Sequence, residues 1–192
     1  LTGNPNGYDR LLTPPVERAE LFSDMGSDYL LVHPFTRELA STPPREFAEV
    51  YLAGRSRAKH VVCGFNFTFG HRGAGTPADL AAWGGELGFS VSVLPPFSIG
   101  DSSVSSTRIR AALTSGDVAE ATLCLGRPYC ITGRVAPGDG RGRKIGIPTS
   151  NIPVQPDKLI PGNGVYAAFA RVMVEGVKAL AVHPAVVNIG TR

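Results

Sequence analysis

The sequence changes texture once, at Gly126-Arg127-Pro128, and that change limits what the chain can fold into more than any residue count. Upstream, helical and strand patterns alternate. Helical spacing covers residues 15–25, 44–53 and 78–87, the last stopped by Gly88, and short apolar runs occupy 29–35, 60–65 and 89–94. Apolar strands separated by helices of about ten residues imply crossover units and a parallel sheet covered on both faces, a doubly wound α/β layer. Two more helices, 106–113 and 118–123, follow, with Gly116-Asp117 as break and cap. Downstream, no helical period of any length appears. Residues 129–135 alternate as a strand, a glycine-rich basic loop runs over 138–146, and 165–174 reads as a long strand that turns at Glu175-Gly176 into 177–182. That half reads as antiparallel β, a small barrel or sandwich. The expected modules are 1–124 and 125–192.

Composition narrows the class of protein. With 192 residues, 43% apolar and 18% charged, the chain is far from the low-hydrophobicity, high-charge regime that prevents folding. No apolar run reaches the ~18 residues of a membrane span, and residues 1–5 lack the basic and apolar regions of a signal peptide. A soluble, cytoplasmic protein is expected. Cys63, Cys124 and Cys130 form no Cys-x-x-Cys pair and read as small buried hydrophobes, which suits a reducing compartment. The net charge of +3 is too mild to call for nucleic acid. The cations cluster at 55–59 and 141–144, a distribution that suits a small polyanion at least as well as DNA. Trp83 reads as a packing residue on its helix, and His33, His60, His71 and His183 have no metal-ligand spacing.

Three segments carry chemistry. The first, Ser105-Ser106-Thr107-Arg108-Ile109-Arg110, opens a helix after a strand and a polar loop. A helix start needs one capping hydroxyl. Two serines, a threonine and two arginines exceed that need and suit a phosphate, which a helix N-terminus, neutral hydroxyls and a bidentate guanidinium all recognise. The second, residues 64–70, places Phe65, Phe67 and Phe69 around Asn66 between two glycines. That is either a strand with a packed face or a loop whose aromatic walls and one amide take a planar heterocycle. The third, residues 138–151, combines repeated glycines with Arg141, Arg143 and Lys144 and ends in Pro148-Thr149-Ser150-Asn151. It lacks the Gly-Lys-Ser/Thr ending of a Walker A loop, but the Thr149 hydroxyl and Asn151 amide are oxygen donors of the kind Mg²⁺ accepts. A plain basic loop is the alternative.

Taken in order, these segments resemble the bacterial bifunctional riboflavin kinase/FAD synthetase family. Residues 34–40 with Glu46-Phe47, 64–70, 105–110, 125–129, 146–151, 164–166 and 188–192 carry the resemblance, which covers nearly the whole chain from about Thr13 onward. It implies a nucleotidyltransferase-like parallel sheet followed by a small antiparallel barrel. It implies phosphorylation of riboflavin to FMN and adenylylation of FMN to FAD, with ATP and Mg²⁺ as partners of the chemistry. By the same resemblance Asn66 contacts nucleotide or flavin, and Ser105, Ser106, Thr107 and Arg110 hold ATP phosphates. Gly138, Gly140, Arg143, Lys144, Gly146, Thr149, Asn151 and Asn188 belong to the kinase ATP and flavin site, with Thr149 and Asn151 on Mg²⁺. Its small-molecule partners are ATP, riboflavin and FMN, without nucleic acid or membrane.

The departures bear on activity. The family's Gly-x-Phe-Asp-Gly-x-His-x-Gly-His signature and its Pro-His-Pro segment do not occur in the chain, nor does the kinase's glutamate base after a Pro-Thr-Phe continuation. No residue is therefore assigned a catalytic role, and the expectation is a segment of a longer gene product. The other readings are a noncatalytic flavin- or nucleotide-binding protein of that descent, and a nucleic-acid module using Arg134, Arg141, Arg143 and Lys144, for which the aromatic residues are too sparse. Incubated with riboflavin, ATP and Mg²⁺, the 192-residue chain is expected to form neither FMN nor FAD rapidly. Chromatography that finds fast product formation overturns this expectation.

Overall fold

The computed structural model describes residues 10–138, 146, 149–172 and 181–190. They fall into two compact units, one of Tyr29–Val104 and one that joins residues 10–28 to those from Ser105 onward. The compact division thus lies between Val104 and Ser105, whereas the change of sequence texture lies at 125–128.

In chain order, the helix α1 (Pro15–Asp24) belongs to the second unit, and the short α2 (Arg37–Ser41) opens the first. Thr36 caps α2, its hydroxyl accepting from the Leu39 amide at 3.2 Å. The turn α3 (Pro44–Glu46) runs directly into a π-helix, Phe47–Arg55, so the expected helix is present with wider, i→i+5 bonded turns over most of its length. Strand β1 (His60–Gly64), helix α4 (Pro77–Leu87) and strand β2 (Ser90–Leu94) then form one crossover, with β1 and β2 parallel from His60↔Ser90 to Gly64↔Leu94. Helix α4 begins where its chemistry says it should. Thr76 and Asp79 form a reciprocal capping box, Pro77 supplies the first turn, and Gly88 ends the helix in the left-handed region at φ 78°.

One face of the β1–β2 pair is the core of this unit. Cys63, Phe69, Leu80, Phe89 and Ala48 are buried there, and Val61, Val91, Phe47 and Trp83 pack around them, so Trp83 is the packing residue its helix position implied. The other face is open, with Val62 57% and Leu94 55% exposed, so the expected covering on both faces is not found among the described residues. Residues 29–35 also depart from expectation. They form no strand and pair with neither β1 nor β2, and Tyr29, Leu31 and Val32 are largely exposed; an apolar parallel strand persists only where a neighbour pairs with it. A short hairpin, β3 (Ser98–Ile99) with β4 (Ser102–Ser103), turns at Gly100 in what the sequence offered only as a polar loop.

In the second unit, helices α5 (Ser106–Ser115) and α6 (Val118–Leu125) bury Ile109, Ala112, Leu113, Ala121 and Cys124. Antiparallel strands β5 (Gly164–Arg171) and β6 (Val182–Ile189) form a hairpin in register from Gly164↔Ile189 to Arg171↔Val182. The partner strand begins at Val182, where the sequence reading ended it. Pro184 lies within β6 opposite Phe169, a place an edge strand tolerates despite the missing N–H. The expected turn at Glu175-Gly176 lies outside the described residues. Residues 129–135 form no strand, and the pairing there is a single bridge, Ala136↔Asn151. Cys130 is exposed, contrary to the buried role expected of all three cysteines, while Cys63 and Cys124 are buried. The hairpin is keyed to α5 by close approach. The Gly162 amide donates to the Leu113 carbonyl at 2.8 Å, and a Cβ at Gly162 would lie 2.6 Å from the Thr114 carbonyl oxygen.

Two adjacent glycines of α4 give a sharp test of this packing. A Cβ on Gly84 would sit 2.6 Å from the Phe89 carbonyl oxygen, whereas Gly85 has open space around it. Gly85→Ala is expected to raise stability by up to about 1 kcal/mol, and Gly84→Ala to lower it by about 1–3 kcal/mol. Denaturant titration of the two variants measures both.

Candidate functional site

The phosphate-type segment is built as its sequence implies, but its residues divide their labour. Ser105 is the N-cap of α5, extended at φ −149°, and its hydroxyl accepts from the Arg108 amide at 3.2 Å. Its side chain therefore closes the helix. Ser106 and Thr107 occupy the first turn and are exposed, beside backbone N–H groups that have no helical partner. Arg108 turns back to α6, where its Nε meets Glu120 Oε1 at 2.6 Å in a partly buried ion pair. Glu120 also receives the Cys124 thiol at 3.5 Å, and burial holds that thiol above its ordinary range. Arg110 is the half-buried member, its Nη1 donating to the Arg10 carbonyl at 2.6 Å.

The aromatic loop resolves into two functions. Phe69 is 6% exposed and belongs to the core, tilted on Phe47 with centroids 5.6 Å apart and edge-on to Trp83 at 6.4 Å. The chain reversal closes onto its ring at Gly75, where a Cβ would lie 2.7 Å from it. Phe65 and Phe67 stay 52% and 39% exposed, with Asn66 exposed between them in a turn closed by the Phe67 amide on the Gly64 carbonyl at 3.0 Å. The strand reading and the loop reading each describe part of the segment. Gly70, at φ 71°, lies against Pro44, where a Cβ would sit 2.6 Å from backbone. Asn66 lies in the first unit and residues 105–110 in the second.

In the glycine-rich region, Gly140, Arg143 and Lys144 lie outside the described residues. The structure does bring Gly138 and Asn151 together. The Ala136 amide donates to the Asn151 carbonyl at 2.8 Å, and the Asn151 side-chain amide occupies the space that a Cβ on Gly138 would need. Any larger residue at 138 would have to displace that amide. Thr149 and Gly146 are exposed, Asn151 is half-buried, and Asn188 lies on β6 opposite Val165. The Thr149 hydroxyl and Asn151 amide are neutral oxygen donors close in sequence, which fits a magnesium ion that keeps waters and takes its counter-charge from substrate phosphates.

Sequence reasoning missed a polar cluster in the second unit. Lys158 is 2% exposed. Its Nζ donates to Glu17 Oε2 at 2.5 Å and to the Leu12 carbonyl at 2.9 Å, and it lies 4.3 Å from the centre of the Tyr129 ring. The Tyr129 hydroxyl donates to the Leu159 carbonyl at 2.7 Å and the Leu12 carbonyl at 3.1 Å. The available signal was a lysine directly before the apolar pair Leu159-Ile160, with Tyr129 just after the change of texture at 126–128.

Comparison with known proteins agrees with the resemblance. The FAD synthetase family model matches residues 2–108, and the chain belongs to that family. The riboflavin kinase family model matches residues 125–192. Both are consistent with an α/β, nucleotidyltransferase-like parallel pair followed by antiparallel strands. The bifunctional riboflavin kinase/FMN adenylyltransferase of Listeria monocytogenes is 40% identical over 163 residues, which is 85% of this chain and 51% of the relative. The protein of the same name from Bacillus subtilis is 37% identical over 186 residues, 95% of this chain and 55% of the relative. A crystal structure described as a macrolide-efflux protein from Streptococcus pneumoniae matches with TM-score 0.81 and 31% identity, covering 93% of this chain and 55% of that one. The chain spans about half the length of the curated relatives it matches. Among the described residues, no helix is long and apolar enough to cross a membrane.

The Tyr129 hydroxyl gives a measurable signature. Burial, foremost, and the Glu17 carboxylate push its ionisation well above the ordinary tyrosine range. Because the folded value lies above the unfolded one, this contribution to stability is complete below about pH 10 and declines as the pH rises from there toward the folded value. Unfolding free energy measured across the alkaline range should fall in the native chain. In Tyr129→Phe that part of the pH dependence should vanish.

Proposed function

We propose that this chain carries nucleotide- and flavin-binding parts of a two-module transferase that phosphorylates riboflavin to FMN and adenylylates FMN to FAD. Residues 1–124 serve adenylyl transfer and 125–192 serve the kinase, with ATP, riboflavin and FMN as substrates in the cytoplasm and no nucleic-acid partner. Support comes from the collinear FAD synthetase and riboflavin kinase matches and from the names of the relatives. The observation that carries the reading is the start of α5, where Ser106, Thr107, open helix N–H groups and Arg110 share one turn.

Adenylyl transfer displaces pyrophosphate from the α-phosphorus in line, so residues at such a site act by orientation and by offsetting charge on the leaving group. In this reading Ser106, Thr107 and Arg110 hold the phosphates, Ser105 fixes the turn as their cap, and Asn66 with Phe65 and Phe67 meets the planar nucleotide or flavin. In the kinase part, Gly138, Gly140 and Gly146 let backbone approach an anion, Arg143 and Lys144 supply charge, and Asn188 lines the site. Thr149 and Asn151 would hold Mg²⁺, which when bound offsets phosphate charge during attack of the riboflavin hydroxyl on the γ-phosphorus.

Calorimetric titration with MgATP tests the assignment. Arg110→Ala should weaken nucleotide binding about tenfold, the worth of one charge-assisted contact, while Thr149→Ala leaves that Arg110-dependent component unchanged. MgATP affinity indifferent to Arg110→Ala would refute the phosphate assignment.

A further inference from the structure

Residues 10–13 form a strap that is fastened at every carbonyl. The Arg10 carbonyl accepts from Arg110 Nη1 at 2.6 Å, and the Leu11 carbonyl from the Leu159 amide at 2.8 Å. The Leu12 carbonyl accepts from Lys158 Nζ at 2.9 Å and the Tyr129 hydroxyl at 3.1 Å, and the Thr13 carbonyl from Arg18 Nη2 at 3.3 Å. A bridge between Leu11 and Lys158, with the Leu11 amide on the Asp157 carbonyl at 2.5 Å, ties the strap to the loop before β5. All of these residues belong to the second unit.

The placement of the arginine at one end of this strap has a chemical consequence. An arginine side chain is long, and holding it at one orientation costs rotamer entropy that subtracts from any phosphate contact it makes. A guanidinium with one N–H seated on a fixed carbonyl has already lost that freedom, and its remaining donors keep a set direction. The Arg10 carbonyl is fixed only because its neighbours are, and the firmest of those fastenings is the buried Lys158 ammonium, held in turn by Glu17 of α1 and the face of Tyr129.

We propose that Lys158, with Tyr129, is a positioning residue for Arg110, acting through the strap at residues 10–13 to hold the guanidinium in the orientation that meets a phosphate. The inference rests on residues 105–110 being a phosphate site. Lys158 touches no substrate in this account. It lies in the part matched by the riboflavin kinase family model, whereas the strap lies in the part matched by the FAD synthetase model, so the contact couples one module's loop to the other's phosphate arginine.

The test uses the 192-residue chain with Lys158→Met, Tyr129→Phe and Arg110→Ala, singly and combined. It reads the MgATP dissociation constant by calorimetry and the Arg110 Nε–H resonance by NMR. Tyr129→Phe should weaken binding about threefold and Lys158→Met about tenfold, as expected for the loss of a neutral and a charged hydrogen bond. Both should broaden or erase the Arg110 resonance, and neither should weaken binding further once Arg110 is alanine. The proposal is wrong if the resonance and affinity survive both substitutions, if the resonance is lost with affinity unchanged, or if affinity falls equally with and without Arg110. Should Lys158→Met fail to fold, Tyr129→Phe carries the same comparison, since it removes a single hydroxyl. An Arg110→Ala variant that binds MgATP as the parent does strikes at the phosphate reading itself, a different result from a parent that needs Arg110 but ignores Lys158 and Tyr129.

Discussion

An ammonium group leaves water only where something replaces its hydration, and at Lys158 that requirement organises the second unit. Three different chemistries meet the need: a carboxylate from α1, a backbone carbonyl from the segment before it, and the face of an aromatic ring. Removing one partner of a buried pair of this kind costs about 3–5 kcal/mol, a large part of a domain's stability. Leu12 and Glu17 are both more than 140 residues from Lys158, so satisfying one charge fixes the place of α1 and the strap against the loop that leads into β5. The start of α5 inherits its surroundings from that arrangement, through Arg110 and the Arg10 carbonyl.

The first unit rests on a different constraint, the close approach of backbone to aromatic rings. Phe69 fills the core only because glycine stands at 75, and Phe89 closes onto α4 only because glycine stands at 84. Burying Phe69 turns its neighbours Phe65 and Phe67 toward the surface with Asn66 between them. One aromatic anchors the loop and two are presented by it. The same division appears at α5, where Ser105 is consumed in capping so that Ser106 and Thr107 can remain at the surface.

What the sequence revealed follows the range of the forces involved. Helix α4 is written locally, since Thr76, Asp79, Pro77 and Gly88 all lie within a turn of its ends, and β1 and β2 flank it as compact apolar runs. Residues 29–35 have the same apolar character without a partner, and apolar content alone does not say whether a partner will be there. Strand β6 escaped because its identity depends on register with β5 across an intervening stretch. At the site, the capping hydroxyl and the helix start were legible because they act over a few residues. Lys158 was not, because its meaning comes from Glu17 at the other end of the chain.

The strap also sets an order of events during synthesis. The described residues of the first unit are one continuous stretch, Tyr29–Val104, and its described core residues are all present once that stretch has emerged. The second unit is discontinuous, and the Leu12 carbonyl and the Glu17 carboxylate must wait for Lys158 before they meet its ammonium. At ~5–20 residues per second that interval is roughly 10–30 s, long compared with helix and hairpin formation. Throughout it the Glu17 carboxylate of α1 is without its ammonium partner, and when Arg110 emerges the strap it rests on is not yet fastened by Lys158. The chain therefore acquires its two units in sequence, and the one bearing the start of α5 is completed last.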